Sequence, residues 1–243
     1  MRWYYPAIGL TALLCLVPCG CGGGSYNAEI RVPLNERHEL STGISSAEAI
    51  RLPGDRTFNV HQKTSGQDKG PVGNARGDSD ASPDGNAFCE ARASNGATAQ
   101  ADFILGQRLE NESDRRLAAG IQIEFELQHE IRGPSVAAPK TLATGGLNIV
   151  ILDGRKRAVS TVPVAQINSD SAMGSSLNTH RFNLPAVFEP RQSYSIILQA
   201  NVTSEADAAQ EVLARLQVRN LRMELTFAPA PPDSKPAAAP AGD

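Results

Sequence analysis

Cysteine, histidine and aromatic side chains are all scarce in this 243-residue chain, which has four Cys, four His and 5% Phe, Trp and Tyr together. Three of the cysteines, Cys15, Cys19 and Cys21, fall at the N-terminus, leaving Cys89 alone beyond them. One thiol is not a metal ligand set. The histidines, His38, His61, His129 and His180, include no pair at ligand spacing. His129-Glu130 begins like a zinc-protease helix motif, but Gly133 stands where the second His would be needed. Trp3 is the only Trp, so sugar recognition by aromatic stacking is disfavoured. Charge of one sign is also lacking. The net value of −3 is too mild to imply a nucleic-acid partner. Long apolar runs are missing as well. The run from Ala7 to Val17 has 11 residues, whereas a spanning helix needs roughly 17–25.

What is present at the N-terminus is an address. Arg2 supplies a positive start, Ala7–Val17 an apolar segment, and Gly20-Cys21-Gly22-Gly23-Gly24 a run of small residues around a cysteine. This order fits a secretory signal. With Cys21 preceded by Gly20 it resembles bacterial lipoproteins, although Pro18 stands where their lipobox usually has Leu. The resemblance covers about the first 25 residues. It implies cleavage before Cys21, acylation of Cys21 and attachment to the cell envelope. Gly22 rather than Asp after the cysteine implies the outer membrane. Acyl chains partition into a bilayer at about 0.8 kcal/mol per buried methylene. With Cys21 acylated, Cys89 is left without an intramolecular disulfide partner and reads as a small buried hydrophobe.

These readings divide the chain into a signal peptide (1–20), a Gly-rich tether (21–26), a single domain (27–227) and a Pro/Ala-rich tail (228–243). Gln62 to Asn86 has Val72 as its only large apolar side chain, among Gly, Pro, Asp and Ser. It is expected to be a mobile loop. The tail has five prolines and little to bury, so it is expected to be disordered.

The domain itself reads as strands. From Leu117 to Ile131, apolar residues occupy one parity and Gln122, Glu124, Glu126, Gln128 and Glu130 the other. A helix would scatter them around its circumference. Ala97–Leu105 and Tyr194–Val202 repeat the pattern. Near the end, Val212, Ala214, Leu216 and Val218 share one parity, and Leu221, Met223, Leu225 and Phe227 the other. A bulge near Arg219–Asn220 would turn both sets inward. Weaker strand signals lie at 28–34, 56–61, 87–93, 147–152, 158–167 and 180–184. Helix signals are few: Ser45–Glu48 as a capping box, and Ser204–Leu216, where a strand is expected to win from Val212. The fold class is therefore all-β, an antiparallel β-sandwich with jelly-roll character at its last strands.

Candidate chemistry is sparse. Asp80-Ala81-Ser82-Pro83-Asp84-Gly85 opens like a calcium loop, but Ala91 occupies the closing position and Glu90 falls one short. Asp80, Ser82, Asp84 and Glu90 are the calcium candidates. Arg76-Gly77-Asp78 matches an integrin tripeptide, and Gly77-Asp78-Ser79 the start of a nucleophile motif without its continuation. Asn111-Glu112-Ser113 and Asn201-Val202-Thr203 match glycosylation sequons. Glu124, Glu126 and Glu130 form an acidic row, expected to pair with a basic strand carrying Arg215 and Arg222. No cofactor and no catalytic residue is expected. The reading is a lipid-anchored, non-enzymatic envelope protein with a protein or envelope-polymer partner. The alternative is an exported module that binds calcium or a glycan.

Overall fold

The computed structural model describes residues 42–44, 49–70, 72–133, 141–169, 174–207 and 211–231. They form twelve strands: β1 (Thr42–Ile44), β2 (Ala49–Leu52), β3 (Val60–Asp68), β4 (Asn74–Ala81), β5 (Ala87–Ser94), β6 (Ala97–Asn111), β7 (Leu117–Arg132), β8 (Leu142–Asp153), β9 (Ala158–Asn168), β10 (Gly174–Phe188), β11 (Ser193–Ala206) and β12 (Val212–Pro229). The segments 28–34 and 45–48, and Cys21 with its surroundings, lie outside the described residues.

Two six-stranded sheets pack face to face. One has the order β1-β6-β11-β8-β9 with β3 also on β6; the other has β10-β7-β12-β5-β4 with β2 also on β12. The eight strands from β5 to β12 pair in a nested way: β5 with β12, β6 with β11, β7 with β10 and β8 with β9. This is one long hairpin, folded at the β8–β9 turn and rolled into a sandwich, the order of a jelly roll. Apart from β1, which lies parallel to β6, every pairing is antiparallel.

Period-two alternation explains the core. On β7 the inward residues Ile121, Ile123, Phe125, Leu127 and Ile131 are all buried, and they face Phe103, Leu105, Ile149, Ile196 and Leu198 of the other sheet within one cluster. Fully burying such a side chain contributes about 1.5–3 kcal/mol. The bulge on β12 is present. Its pairing with β7 shifts between Arg219 and Arg222, and Asn220 takes a left-handed φ of 54°. Both parity sets, Val212–Val218 and Leu221–Phe227, are thereby buried. β11 ends at Ala206 and β12 starts at Val212, so the strand prevails over the helical composition there.

Two expectations are corrected. Gln62–Asn86 is not a mobile loop but carries most of β3, all of β4 and the turn into β5. β3 is an edge strand with mostly polar, exposed side chains, held by its backbone ladder to β6. Apolar periodicity therefore does not reveal it. β4 lies tightly against that edge: a Cβ at Gly77 would collide with the carbonyl oxygens of Gln100 and Gly66. The first residues of the expected tail are also ordered, since β12 continues to Pro229 and the Ala230 N–H donates to the Arg116 carbonyl at 3.0 Å. Residues 232–243 lie outside the described part.

Candidate functional site

The sequence candidates do not converge. The calcium motif falls on the β4–β5 hairpin. Asp80 lies on β4 and accepts a hydrogen bond from Lys63 Nζ at 2.7 Å. This bond to Lys63 holds its carboxyl below the usual range. Asp84 sits in the turn, its carboxyl lowered by hydrogen bonds from Ser82 and Asn86. Glu90 lies on β5, where it accepts from Arg92 Nε at 2.6 Å and lies 3.7 Å from Arg215. The oxygens are thus taken up in separate local contacts. Among the described residues no group of three or more His, Cys, Asp or Glu is placed to hold a metal.

The other motifs also resolve into structural roles. Arg76 and Asp78 pair with each other at 3.1 Å within β4. Ser79 is buried, and its hydroxyl donates to the Thr64 carbonyl at 3.1 Å. His129 shares a hydrogen bond with Ser176 at 3.0 Å, and His180 stacks on Phe125 and Phe182. Cys89 is fully buried, and burial pushes its thiol up. The acidic row does meet a basic strand. Glu130, Glu126 and Glu124 lie opposite Arg215, Arg219 and Arg222 on β12, and Arg181 of β10 closes on Glu124 at 2.9 Å.

The site that emerges lies instead at one pole of the sandwich, where the connections 112–116, 154–157 and 189–192 meet. Asn111 organises it. Its side chain is fully buried, and Nδ2 donates to the carbonyls of Arg115, Phe188 and Glu189 at 2.9, 3.2 and 3.1 Å. Its Oδ1 accepts from the Ser113 N–H at 3.1 Å. The first glycosylation sequon is therefore a hub of loop structure, with no amide free to carry a sugar. Tyr194, stacked on Phe188 at 4.2 Å, accepts the Glu189 N–H at 2.9 Å. Two connections are thereby fixed to one another.

The third connection is the turn at the tip of the long hairpin. The Lys156 N–H donates to the Asp153 carbonyl at 2.8 Å, and Lys156 takes a φ of 62°. Asp153 Oδ1 accepts the N–H groups of Arg155 and Arg157, each at 2.9 Å, while Oδ2 accepts Arg157 Nε at 2.8 Å. Burial alone would raise this carboxyl, but the N–H groups and guanidinium outweigh it and hold it below the usual range. Beside the turn, Arg191 directs Nε and Nη2 to one oxygen of Asp114, at 3.0 and 2.9 Å.

Arg155, Arg157 and Arg191, with Asp153, Gln192 and Ser193, line a surface concavity of about 400 Å³. Three guanidinium groups face one carboxylate that is already committed to Arg157 and to the turn. Arg155 makes no ion pair with a described residue. No sequence motif marks this site, because its walls come from turns far apart in the chain. The only available signal was the density of basic residues in Arg155-Lys156-Arg157 and Arg115-Arg116.

No family model matches the chain, and no curated protein matches it. Among solved structures, the chain is similar to the enzymatically active domain of tailspike protein 4 of bacteriophage CBA120, with 14% identity, a TM-score of 0.25 and coverage of 69% of this chain and 19% of that one. It is also similar to a family 11 carbohydrate-binding module from Clostridium thermocellum in complex with a β-1,3-1,4-mixed-linked tetrasaccharide, with 9% identity, a TM-score of 0.21 and coverage of 66% and 87%. A third similarity is to the structure of the infectious bursal disease virus Gx strain, with 10% identity, a TM-score of 0.21 and coverage of 70% and 43%. The chain therefore spans about a fifth of the tailspike domain.

Proposed function

We propose that this chain is a lipid-anchored protein of the bacterial cell envelope, attached through Cys21 and sorted to the outer membrane. Its sandwich acts as a non-enzymatic binding module. The anchor rests on the N-terminal resemblance, with Gly20 before Cys21 and glycines after it. The binding role rests on one observation: buried Asn111 and Tyr194 fix two of the connections that frame an arginine-lined concavity. Prearranged loops on a rigid scaffold are where recognition is concentrated. The groups there favour binding over bond making. Guanidinium is a pure donor that stays protonated throughout the physiological range, so it holds an anion and does not shuttle protons.

The anchor is tested by intact mass of the membrane-extracted protein, beside a Cys21→Ser chain. The expected mass corresponds to cleavage before Cys21 plus acyl chains, and the variant lacks that addition. A soluble, unmodified mature protein would sink the lipoprotein reading.

A further inference from the structure

The proposed binding role leaves the ligand open, and the chemistry of the concavity narrows it. We infer that the concavity between the β8–β9 and β10–β11 turns is an oxyanion site, built to take a phosphoryl group through Arg155 and Arg191. This inference rests on the binding reading above and specifies its ligand class.

Charge comes first. The lining carries Arg155, Arg157 and Arg191 against Asp153 alone. Asp153 is saturated: its two oxygens already receive two N–H groups and the Arg157 guanidinium. It therefore neutralises Arg157 and leaves Arg155 uncompensated. Arg191 is held by Asp114, but the side chains are 65% and 85% exposed. An ion pair that open to water contributes about 0–1 kcal/mol, so Arg191 can exchange its partner at little cost. The concavity thus offers one unpaired guanidinium and one loosely held one.

Geometry comes second. The Asp153 turn fixes the backbone on both sides of Arg155. Asn111 and Tyr194 fix the 189–192 connection that carries Arg191. Two forked donors on separate rigid turns match the several oxygens of a phosphoryl group, which guanidinium engages in bidentate fashion. A lone carboxylate would satisfy only one fork. The opposing pattern on the outer face of β7, β12 and β10 sharpens the contrast, because there arginine stands opposite glutamate and the charge is locally matched.

Such a phosphoryl group can be a free or polymer-borne phosphate, or the headgroup of an anionic phospholipid. The test uses the full chain and follows the arginine Nε–H signals by NMR. Inorganic phosphate and monomeric short-chain phosphatidylglycerol are titrated separately, with chloride balancing the ionic strength. The expected result is a saturable shift of the Arg155 and Arg191 signals with at least one of the two. Tighter binding of inorganic phosphate identifies a phosphate monoester-type ligand, and tighter binding of the phospholipid identifies a headgroup. Loss of a charge-assisted pair predicts that Arg155→Gln weakens binding about tenfold or more. Arg191→Gln is expected to weaken it as well, and Arg181→Gln on the outer face of the other sheet should leave it unchanged. No saturable shift with either probe overturns the inference. So does an Arg155→Gln chain that binds as tightly as the parent. Acylation of Cys21 is read independently by mass, so failure of the oxyanion site leaves the anchor standing.

Discussion

Asn111 shows how one buried polar side chain can set a surface. Its amide reaches carbonyls at the ends of two connections, and among them is the buried carbonyl of Phe188. Leaving a buried acceptor unmet costs about 1–3 kcal/mol. Asn111→Ala is therefore expected to lower the unfolding free energy by at least that amount, measurable by urea denaturation. It should also weaken any ligand held by Arg191, because the 189–192 connection loses its tie. His180 gives a residue-scale prediction for pH. Partial burial on β10, where its ring stacks on Phe125 and Phe182, lowers its pKa from the ordinary value of 6.5. The unfolded chain then binds protons more readily than the folded one. Stability from the neutral ring is complete above about pH 6.5 and is lost as pH falls through the folded value. The decline of melting temperature between pH 7 and pH 5 should be shallower in His180→Gln than in the parent. An identical slope would remove His180 as its source.

At the scale of elements, legibility in the sequence followed burial. β7 was readable because one face meets the core and the other meets solvent, so chemistry and pleat share a period of two. β12 was readable with its irregularity, because a parity change near Arg219–Asn220 can be kept inward only by an extra residue. Even the matching of Glu124 and Glu130 to basic residues on a neighbouring strand was visible as complementary charge. β3 and β4 were not readable, since their stability resides in backbone ladders and close approach at Gly77. Neither leaves an apolar rhythm. The concavity was hidden for a different reason: Asp114, Asp153 and Arg191 have no common spacing, and only the roll of the hairpin assembles them. The β12 bulge carries its own prediction. Asn220 at φ 54° occupies a region that suits Asn and Gly. Asn220→Gly should be close to neutral. Asn220→Val should cost about 1–2 kcal/mol, the penalty of left-handed backbone for a side chain of that kind. Chemical denaturation of the two variants compares them directly, and equal stability would deny the bulge its conformational requirement.

At the scale of the whole molecule, the nested pairing sets an order in time. The tip strands β8 and β9 are joined by four residues, 154–157, whereas β5 meets β12 only after more than a hundred intervening residues. A ribosome adds about 5–20 residues per second. β5 is thus complete roughly 6–24 s before its partner is made, at that same rate. During that interval β5 and β7 have no strand between them to join them into one sheet. The last strand among the described residues is also the central one of its sheet, between β7 on one side and β5 and β2 on the other. The chain cannot complete this sheet early, and it stays open until its final strand arrives. Closure of the sandwich is thus timed by strand order alone, without any slow step in the chemistry of the strands themselves.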